Sequence, residues 1–343
     1  MRNGRGARRS LIRRLALRGV GVGLVLVLLA WLGWAEANRW RHDPQALRGS
    51  VTVLLQRGEA LPQLARKLAS AGVLSRPRLW VLLARFDSNQ AFIKAGEYRI
   101  TEADTPATLL ARLRAHDVVR HRVTLIEGWT LTQMLDALAR HPIVRQALGE
   151  DRLSQLVAAL DLPYENPEGL FFPDTYVFER GTSDLDILRR AYERMEAVLA
   201  DAWSQRQPDL PLADPYAALI LASIIEKETG RAEDRGFIAQ VFVNRLRLGM
   251  RLQTDPTVIY GLGDQFQGDL TRAHLAQDTP YNTYRRGGLP PTPIAMPGRA
   301  ALEAALAPPA GDLLYFVSRG DGTTAFSKTL DAHNRAVREF QLQ

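Results

Sequence analysis

Cysteine is absent from the 343-residue sequence. Its absence excludes disulfides, thiolate metal sites and a cysteine nucleophile. The sequence also lacks a glycine-rich phosphate-binding loop, a Gly-x-Ser-x-Gly nucleophile motif and the histidine spacing of a zinc site. We therefore expect no cofactor and no bound metal.

Acidic residues are missing from the first 35 positions. Seven arginines lie within residues 1–18, and an apolar run follows at residues 19–35. This run is at the short end of the roughly 17–25 residues that span a bilayer, and positive charge favours the cytoplasmic side. We expect a basic cytoplasmic tail at residues 1–18 and a transmembrane anchor at residues 19–38. A cleavable signal peptide is the alternative, because Ala35-Glu36-Ala37 has the form of a cleavage site.

The formal net charge of +7 equals the charge of those seven arginines, so the rest of the chain sums to about zero. Charges of both signs are mixed along that remainder. Nucleic-acid binding needs a basic face on the folded part of a protein. We therefore expect no nucleic acid among the partners.

The hydrophobic pattern after residue 48 predicts a small α/β domain. Residues 51–55 read as a strand, 61–71 and 76–86 as amphipathic helices, and 96–100 as a closing strand. The same strand-turn-helix start returns at residues 123–138. We place a small domain at residues 48–120 and a larger mixed domain at 121–343, so the expected fold class is α+β.

One predicted helix ends in carboxylates. Asp214 and Pro215 form a helix start, and residues 217–225 are apolar apart from Ser223. The buried helix then ends at Glu226-Lys227-Glu228, where desolvation would raise a carboxyl pKa and allow proton donation near neutral pH. Helical geometry places Glu226 over Ala222 and Ser223, small residues that leave room for a ligand, and Glu228 over isoleucines, which favours Glu226 as the acid. A solvated carboxylate beside Lys227 is the alternative.

Several dense segments then follow one another in a recognisable order. They are Glu168-Gly169-Leu170-Phe171-Phe172-Pro173-Asp174-Thr175-Tyr176, Ala222 to Thr229, Val241 to Leu246, Gly249 to Gly261, Tyr281-Asn282-Thr283-Tyr284 and Gly288-Leu289-Pro290-Pro291. Together they resemble the endolytic murein transglycosylase family, membrane-anchored enzymes also described as peptidoglycan terminases.

The resemblance implies a LysM-like domain at residues 48–120 and a transglycosylase domain at 121–343. It implies a single-pass protein of the bacterial inner membrane, with its N-terminus cytoplasmic and its catalytic domain periplasmic. Glu226 matches the family's catalytic glutamate in this interpretation. The implied reaction cleaves the MurNAc-GlcNAc β-1,4 bond of nascent peptidoglycan and leaves 1,6-anhydroMurNAc ends, which terminates elongation. Penicillin-binding proteins and other peptidoglycan synthases are the implied partners.

The other motif residues are hypothetical substrate contacts, assigned from their side-chain chemistry. Polar side chains would bind hydroxyl and N-acetyl groups, tyrosine rings would stack on sugars, and Glu168 would support the site; the set is Glu168, Tyr176, Gln253, Asp255, Thr257, Tyr281, Asn282, Thr283 and Tyr284. Each also has a structural alternative as a turn, a cap or a core residue.

Two other functions fit the same residues. A hydrolytic muramidase would use the same glutamate with water and leave reducing ends. A noncatalytic, membrane-tethered peptidoglycan-binding scaffold would bind glycan strands without cutting them.

Overall fold

The computed structural model describes residues 4–86 and 93–341. Helices and short strands alternate, which confirms the mixed α+β class. The chain divides into two compact units, residues 1–120 and 121–343. Each unit has its own buried hydrophobic core.

Within residues 4–86 and 93–120, the first unit contains a two-stranded sheet and four α-helices. In chain order they are α1 (Gly4–Arg41), β1 (Val51–Leu55), α2 (Leu61–Ser70), α3 (Pro77–Phe86), β2 (Gly96–Ile100) and α4 (Pro106–Ala115). Strands β1 and β2 pair antiparallel, with Val51 opposite Ile100. The predicted strand-helix-helix-strand order is confirmed, whereas α4 had no counterpart in the predicted pattern. The LysM-like character of this unit stays a prediction.

Helix α1 carries the predicted anchor. Its segment Leu17–Arg41 is long and apolar enough to cross a membrane, with a mean hydropathy of 1.9 and none of its most apolar stretch buried, and a signal sequence would meet the same criterion. Its last turns belong to the first unit, because Trp40 is buried and donates a 3.3 Å hydrogen bond from Nε1 to Ser75. Residues 1–3 of the predicted basic tail lie outside the described residues.

The second unit is mostly helical. Its elements are β3 (Arg120–Thr124), α5 (Leu131–Arg140), α6 (Arg152–Leu160), β4 (Thr175–Glu179), α7 (Asp184–Ser204), α8 (Pro215–Glu228), α9 (Ala232–Arg247), α10 (Asp255–Leu262), α11 (Arg272–Ala276), α12 (Arg299–Leu306), β5 (Tyr315–Ser318), β6 (Thr324–Ser327) and α13 (Leu330–Phe340). Strand β3 pairs with β4, and β5 pairs antiparallel with β6.

Helix α8 occupies the centre of this unit. It packs against α7, α9, α10 and α12, and every residue from 218 to 225 is buried. Its start is as predicted, since Oδ1 of Asp214 accepts a 2.7 Å hydrogen bond from the Ala217 amide and Pro215 opens the helix. Because α8 is enclosed by four helices, the position of its last turn is fixed.

Candidate active site

The last turn of α8 carries two carboxylates in different surroundings. Glu226 and Glu228 are two positions apart, which places them about 200° apart around the helix. Each therefore meets a separate group of neighbours.

Glu226 connects α8 to the start of α12. Its Oε2 accepts a 2.9 Å hydrogen bond from the amide of Gly298, the residue that precedes α12. Burial raises the pKa of this carboxyl, the Gly298 hydrogen bond opposes that rise, and the nearby Glu127 carboxylate adds to it. Glu127 also packs so closely on Gly298 that an added Cβ would lie 2.0 Å from its Oε1. Glu226 thus makes a structural contact at a crowded backbone.

The space above Ala222 and Ser223 is filled by protein. Both residues are fully buried. The Ser223 hydroxyl donates to the carbonyl of Ile220 at 2.7 Å and accepts from the amide of Ile294 at 3.0 Å. The prediction that these small residues leave room for a ligand was wrong, because they accommodate the loop that precedes α12.

Glu228 faces the loop that precedes α10. Its Oε1 accepts a hydrogen bond from the Thr254 hydroxyl. Burial raises the pKa of Glu228 to about 7; the Thr254 hydrogen bond and the Arg245 charge oppose the rise, and Asp255 adds to it. A carboxyl with this pKa is both a proton donor and a proton acceptor near neutral pH.

Glu228 lines a cleft of about 600 Å³, and we call this the Glu228 cleft. The cleft lies between the loop before α10, hairpin β5–β6 and α13, and its polar lining includes Arg245, Gln253, Asp255, Tyr284, His333 and Asn334. Its volume is in the range of small-ligand sites. The structure thus brings three predicted binding residues together with Glu228. Glu226 is not among the residues that line this cleft.

Gln253 has an unusual backbone conformation at the edge of the cleft. Its φ is +51°, in the left-handed region that non-glycine residues seldom adopt. Its amide donates a 3.2 Å hydrogen bond to the carbonyl of Thr283, and the buried Arg245 donates a 2.6 Å bond to the preceding carbonyl, of Leu252. These contacts hold the strained residue in place, with its side chain exposed on the cleft.

Three predicted polar contacts are buried beneath this loop. Thr257 and Asn282 are fully buried and Thr283 nearly so. The Thr257 and Thr283 hydroxyls lie 2.9 Å apart, and Thr283 also accepts a 3.1 Å hydrogen bond from the Thr254 amide. Asn282 donates to the carbonyls of Leu275 and Gln277 at 3.1 and 2.6 Å. All three stabilise the backbone that presents Thr254 to Glu228.

Only one of the three predicted tyrosines lines the cleft. Tyr284 donates a 2.6 Å hydrogen bond to Oδ1 of Asp255, and its pKa is raised chiefly by burial. The Tyr281 hydroxyl lies 2.9 Å from that of Thr292. Tyr176 is buried and donates to the carbonyl of Phe172 at 2.7 Å. Tyr176 and Tyr281 therefore pack within the second unit.

Glu168 is a buried carboxylate between two helices. It is 4% exposed and accepts hydrogen bonds from the Leu131 amide at 2.9 Å and the Tyr260 hydroxyl at 3.2 Å. Burial raises its pKa to about 7, against the effect of these hydrogen bonds. It satisfies an amide at the start of α5 and holds α10 through Tyr260. Its predicted supporting role in the site stays a prediction.

Sequence reasoning missed the cleft residues Thr254 and Arg245, and it ranked Glu228 below Glu226. The isoleucines beneath Glu228 gave no sign of the cleft, which depends on a loop distant in sequence. One signal for Thr254 was available in the sequence. It lies between the predicted binding residues Gln253 and Asp255, in the segment Gly249 to Gly261. His333 also lines the cleft and stacks on Tyr315, with ring centroids 5.2 Å apart.

Within residues 4–86 and 93–341, no group of three or more His, Asp or Glu side chains is placed to hold a metal ion. What the site offers is acid–base chemistry by one titrating carboxyl in a polar cleft. The fold and the site together define a mixed α+β protein with an acid–base carboxyl in a polar cleft.

Comparison with known proteins places the chain in a family. The YceG-like family matches residues 53–339, and the chain belongs to this family. An endolytic murein transglycosylase of Bacillus subtilis is 29% identical over 309 residues, covering 85% of each chain. One of Streptococcus pneumoniae is 27% identical over 323 residues, which are 84% of this chain but only 58% of that protein. A solved yceG-like protein from Listeria monocytogenes is 30% identical, has a TM-score of 0.54 and is matched over 98% of its length and 83% of this chain.

Proposed function

We propose that the protein is an endolytic lytic transglycosylase that cleaves the MurNAc-GlcNAc β-1,4 bond of peptidoglycan strands. The observation that carries this proposal is the Glu228 carboxyl, whose pKa is raised to about 7 at the wall of a polar cleft of about 600 Å³. The names of the curated relatives support murein as the substrate.

Glu228 would perform both proton transfers. Its protonated form donates to the glycosidic oxygen, and the C1–O bond breaks. The resulting carboxylate accepts the proton of the muramic C6 hydroxyl while O6 bonds to C1, which gives the 1,6-anhydro end. The internal hydroxyl replaces both the water of inverting glycosidases and the second carboxylate of retaining ones. One carboxyl with a pKa near ambient pH is sufficient.

We propose Glu228 as the catalytic acid in place of Glu226, the residue that the sequence favours. Glu226 stays the prediction from sequence, and it remains the competing candidate because its pKa is also raised. Two observations favour Glu228: it lines the cleft with Gln253 and Asp255, and it accepts a hydrogen bond from a loop hydroxyl. Glu226 accepts its hydrogen bond from the backbone at α12.

The proposal includes attachment to the inner membrane through α1, with a periplasmic catalytic unit and a LysM-like first unit. The apolar helix supports attachment. Helical structure continues through Ala35-Glu36-Ala37 to the buried Trp40, which favours a retained helix over a cleaved signal. Action on nascent strands beside peptidoglycan synthases follows from this location.

Mass analysis of products from purified, uncross-linked glycan strands tests the proposal. The full-length chain in detergent would be compared with its Glu228→Gln and Glu226→Gln variants. We expect anhydromuramic ends from the wild type and a rate loss of about 10²–10⁴ in Glu228→Gln, the usual contribution of a general acid. Glu226→Gln should retain most activity.

Other products would redirect the assignment. Reducing ends from the wild type would indicate a hydrolytic muramidase. Binding of strands without cutting would indicate a scaffold. Loss of activity only in Glu226→Gln would return the catalytic role to that residue.

A further inference from the structure

Helices α2 and α3 of the first unit enclose a groove of about 480 Å³, which we call the α2–α3 groove. Three arginines and several apolar side chains line it; the arginines are Arg66, Arg78 and Arg85. All three are exposed. None of them forms an ion pair with another residue of the part of the chain that the structure describes. Their charges are therefore available to an external anion.

The outer face of α3 combines these charges with apolar side chains. Arg78, Leu82 and Arg85 are spaced four and three residues apart, so they share one face, opposite the buried Trp80. Leu82 is 49% exposed and the neighbouring Phe86 is 69% exposed. Arginines beside exposed apolar residues are typical of a surface that lies at a membrane interface.

After the basic tail and the apolar run, the two units of the chain carry formal charges of opposite sign. Residues 36–120 contain fourteen Lys or Arg and eight Asp or Glu, a formal charge of +6. Residues 121–343 contain twenty-three and twenty-nine, a formal charge of −6. The near-zero net charge of residues 19–343 is therefore the sum of a basic first unit and an acidic second unit. The basic unit is the one that contains α1.

The end of α1 is built into this same unit. Helix α1 contacts α3 and α4, and Trp40 lies in the first unit's core. Six helical residues, about 9 Å, separate Trp40 from Trp34, an exposed tryptophan at the end of the apolar run. If α1 spans a bilayer, the lipid headgroups at the end of the apolar run lie within reach of α3, because α3 contacts α1.

We propose that the α2–α3 groove binds anionic lipid headgroups of the bilayer that α1 spans. Arg66, Arg78 and Arg85 bind the headgroup phosphates, while Leu82 and Phe86 lie at the boundary with the acyl chains. This inference rests on the membrane attachment proposed above and is independent of the cleavage chemistry. Each arginine near an anionic surface contributes about fivefold in binding, or about 1 kcal/mol, so the three together contribute roughly 100-fold.

The cysteine-free sequence allows a direct test with single-cysteine variants of the full chain in lipid nanodiscs. Leu82→Cys would carry a bimane fluorophore, and nitroxide-labelled lipids would quench it on contact. Thr52→Cys, exposed on β1 opposite Arg99 and outside the groove, is the matched control. Leu28→Cys reports insertion of α1 itself. Discs of phosphatidylcholine would be compared with discs that also contain phosphatidylglycerol.

We expect quenching at position 82 only in the anionic discs, with its loss at high salt. Changing the three arginines to glutamine should lower the ratio of docked to undocked protein by roughly 100-fold. The Thr52→Cys label should stay unquenched in both discs.

Quenching at position 28 without quenching at position 82 in anionic discs would overturn the proposal. Equal quenching at 82 in neutral discs would also overturn it. A response of the label at 82 to purified peptidoglycan strands and not to lipid would assign the groove to the strand instead. No quenching at position 28 would refute membrane insertion of α1. That result would leave the cleavage proposal open, because product analysis tests it separately.

Discussion

The Thr254 hydroxyl donates a hydrogen bond to Oε1 of Glu228, and this contact joins the loop before α10 to the last turn of α8. Thr254 is nearly fully buried, so its hydroxyl has a fixed partner. Because the bond stabilises the charged form of the carboxyl, it limits the rise in pKa that burial causes. The proton affinity of Glu228 is therefore set partly by a residue 26 positions away.

The first prediction concerns the pH dependence of cleavage. The proposed acid must be protonated to donate, and its pKa is about 7. We expect kcat/KM to fall as pH rises through about 7. Thr254→Val removes a hydrogen bond that lowers the pKa, so its falling limb should move to higher pH. The measurement is the rate of product formation across pH.

Thr257→Val is the matched control for this shift. Its hydroxyl donates to the Thr254 carbonyl at 2.8 Å and lies 2.9 Å from the Thr283 hydroxyl, so it does not hydrogen-bond Glu228 directly. The variant should lose stability and keep the wild-type pH profile. Identical profiles in all three proteins would contradict a role for Thr254 in setting the pKa.

The second prediction concerns strain at Gln253, whose φ is +51°. Gln253→Gly relieves a conformation that costs about 1 kcal/mol or more and removes a side chain from the cleft. We expect a higher melting temperature together with a higher KM for glycan strands. Gln253→Ala keeps the strain, so it should raise KM without raising the melting temperature. Thermal melting and strand kinetics of the two variants provide the measurement.

The third prediction concerns Ser223 in the middle of the buried helix. Ser223→Ala leaves the Ile294 amide without its acceptor, and a buried unpaired amide costs about 1–3 kcal/mol. We expect this loss in the free energy of unfolding, measured by chemical denaturation. Ser204→Ala, on the exposed end of α7, should change stability by much less. An equal loss in both variants would show that the contact to the loop is unimportant.

The fourth prediction concerns the buried Glu168. Its folded-state pKa of about 7 lies above the ordinary value of 4.5, so its contribution to stability is fully present below pH 4.5 and is lost as pH rises through about 7. The loss amounts to about 3 kcal/mol at most. Glu168→Gln removes the titration and keeps an acceptor for the Leu131 amide. We therefore expect its melting temperature, relative to wild type, to rise between pH 5 and pH 8.

A constant difference across this range would mean that Glu168 is not protonated in the folded protein. Glu165→Gln, at a nearby exposed carboxylate, serves as the control for general charge effects.

Local patterns predicted the elements well and the site only in part. The start of α8 at Asp214 and Pro215 and the strands β1 and β2 follow from capping residues and periodicity. The Glu228 cleft does not, because its walls come from α8, residues 253–255 and α13, which only tertiary packing brings together. Ser223 shows the difficulty: its small size was compatible with a ligand or with a loop, and the structure places a loop there.

The burial of α8 from residue 218 to residue 225 has a consequence for how the family's sequences can change. A one-residue insertion or deletion within the helix would turn everything after it by about 100° and shift it by 1.5 Å. Glu228 would then point away from Thr254, whatever residues filled the core. Substitutions in α8 alter stability, whereas changes in its length alter the direction in which the carboxylate points. The number of residues between Pro215 and Glu228 is therefore as much a part of the site as the glutamate itself.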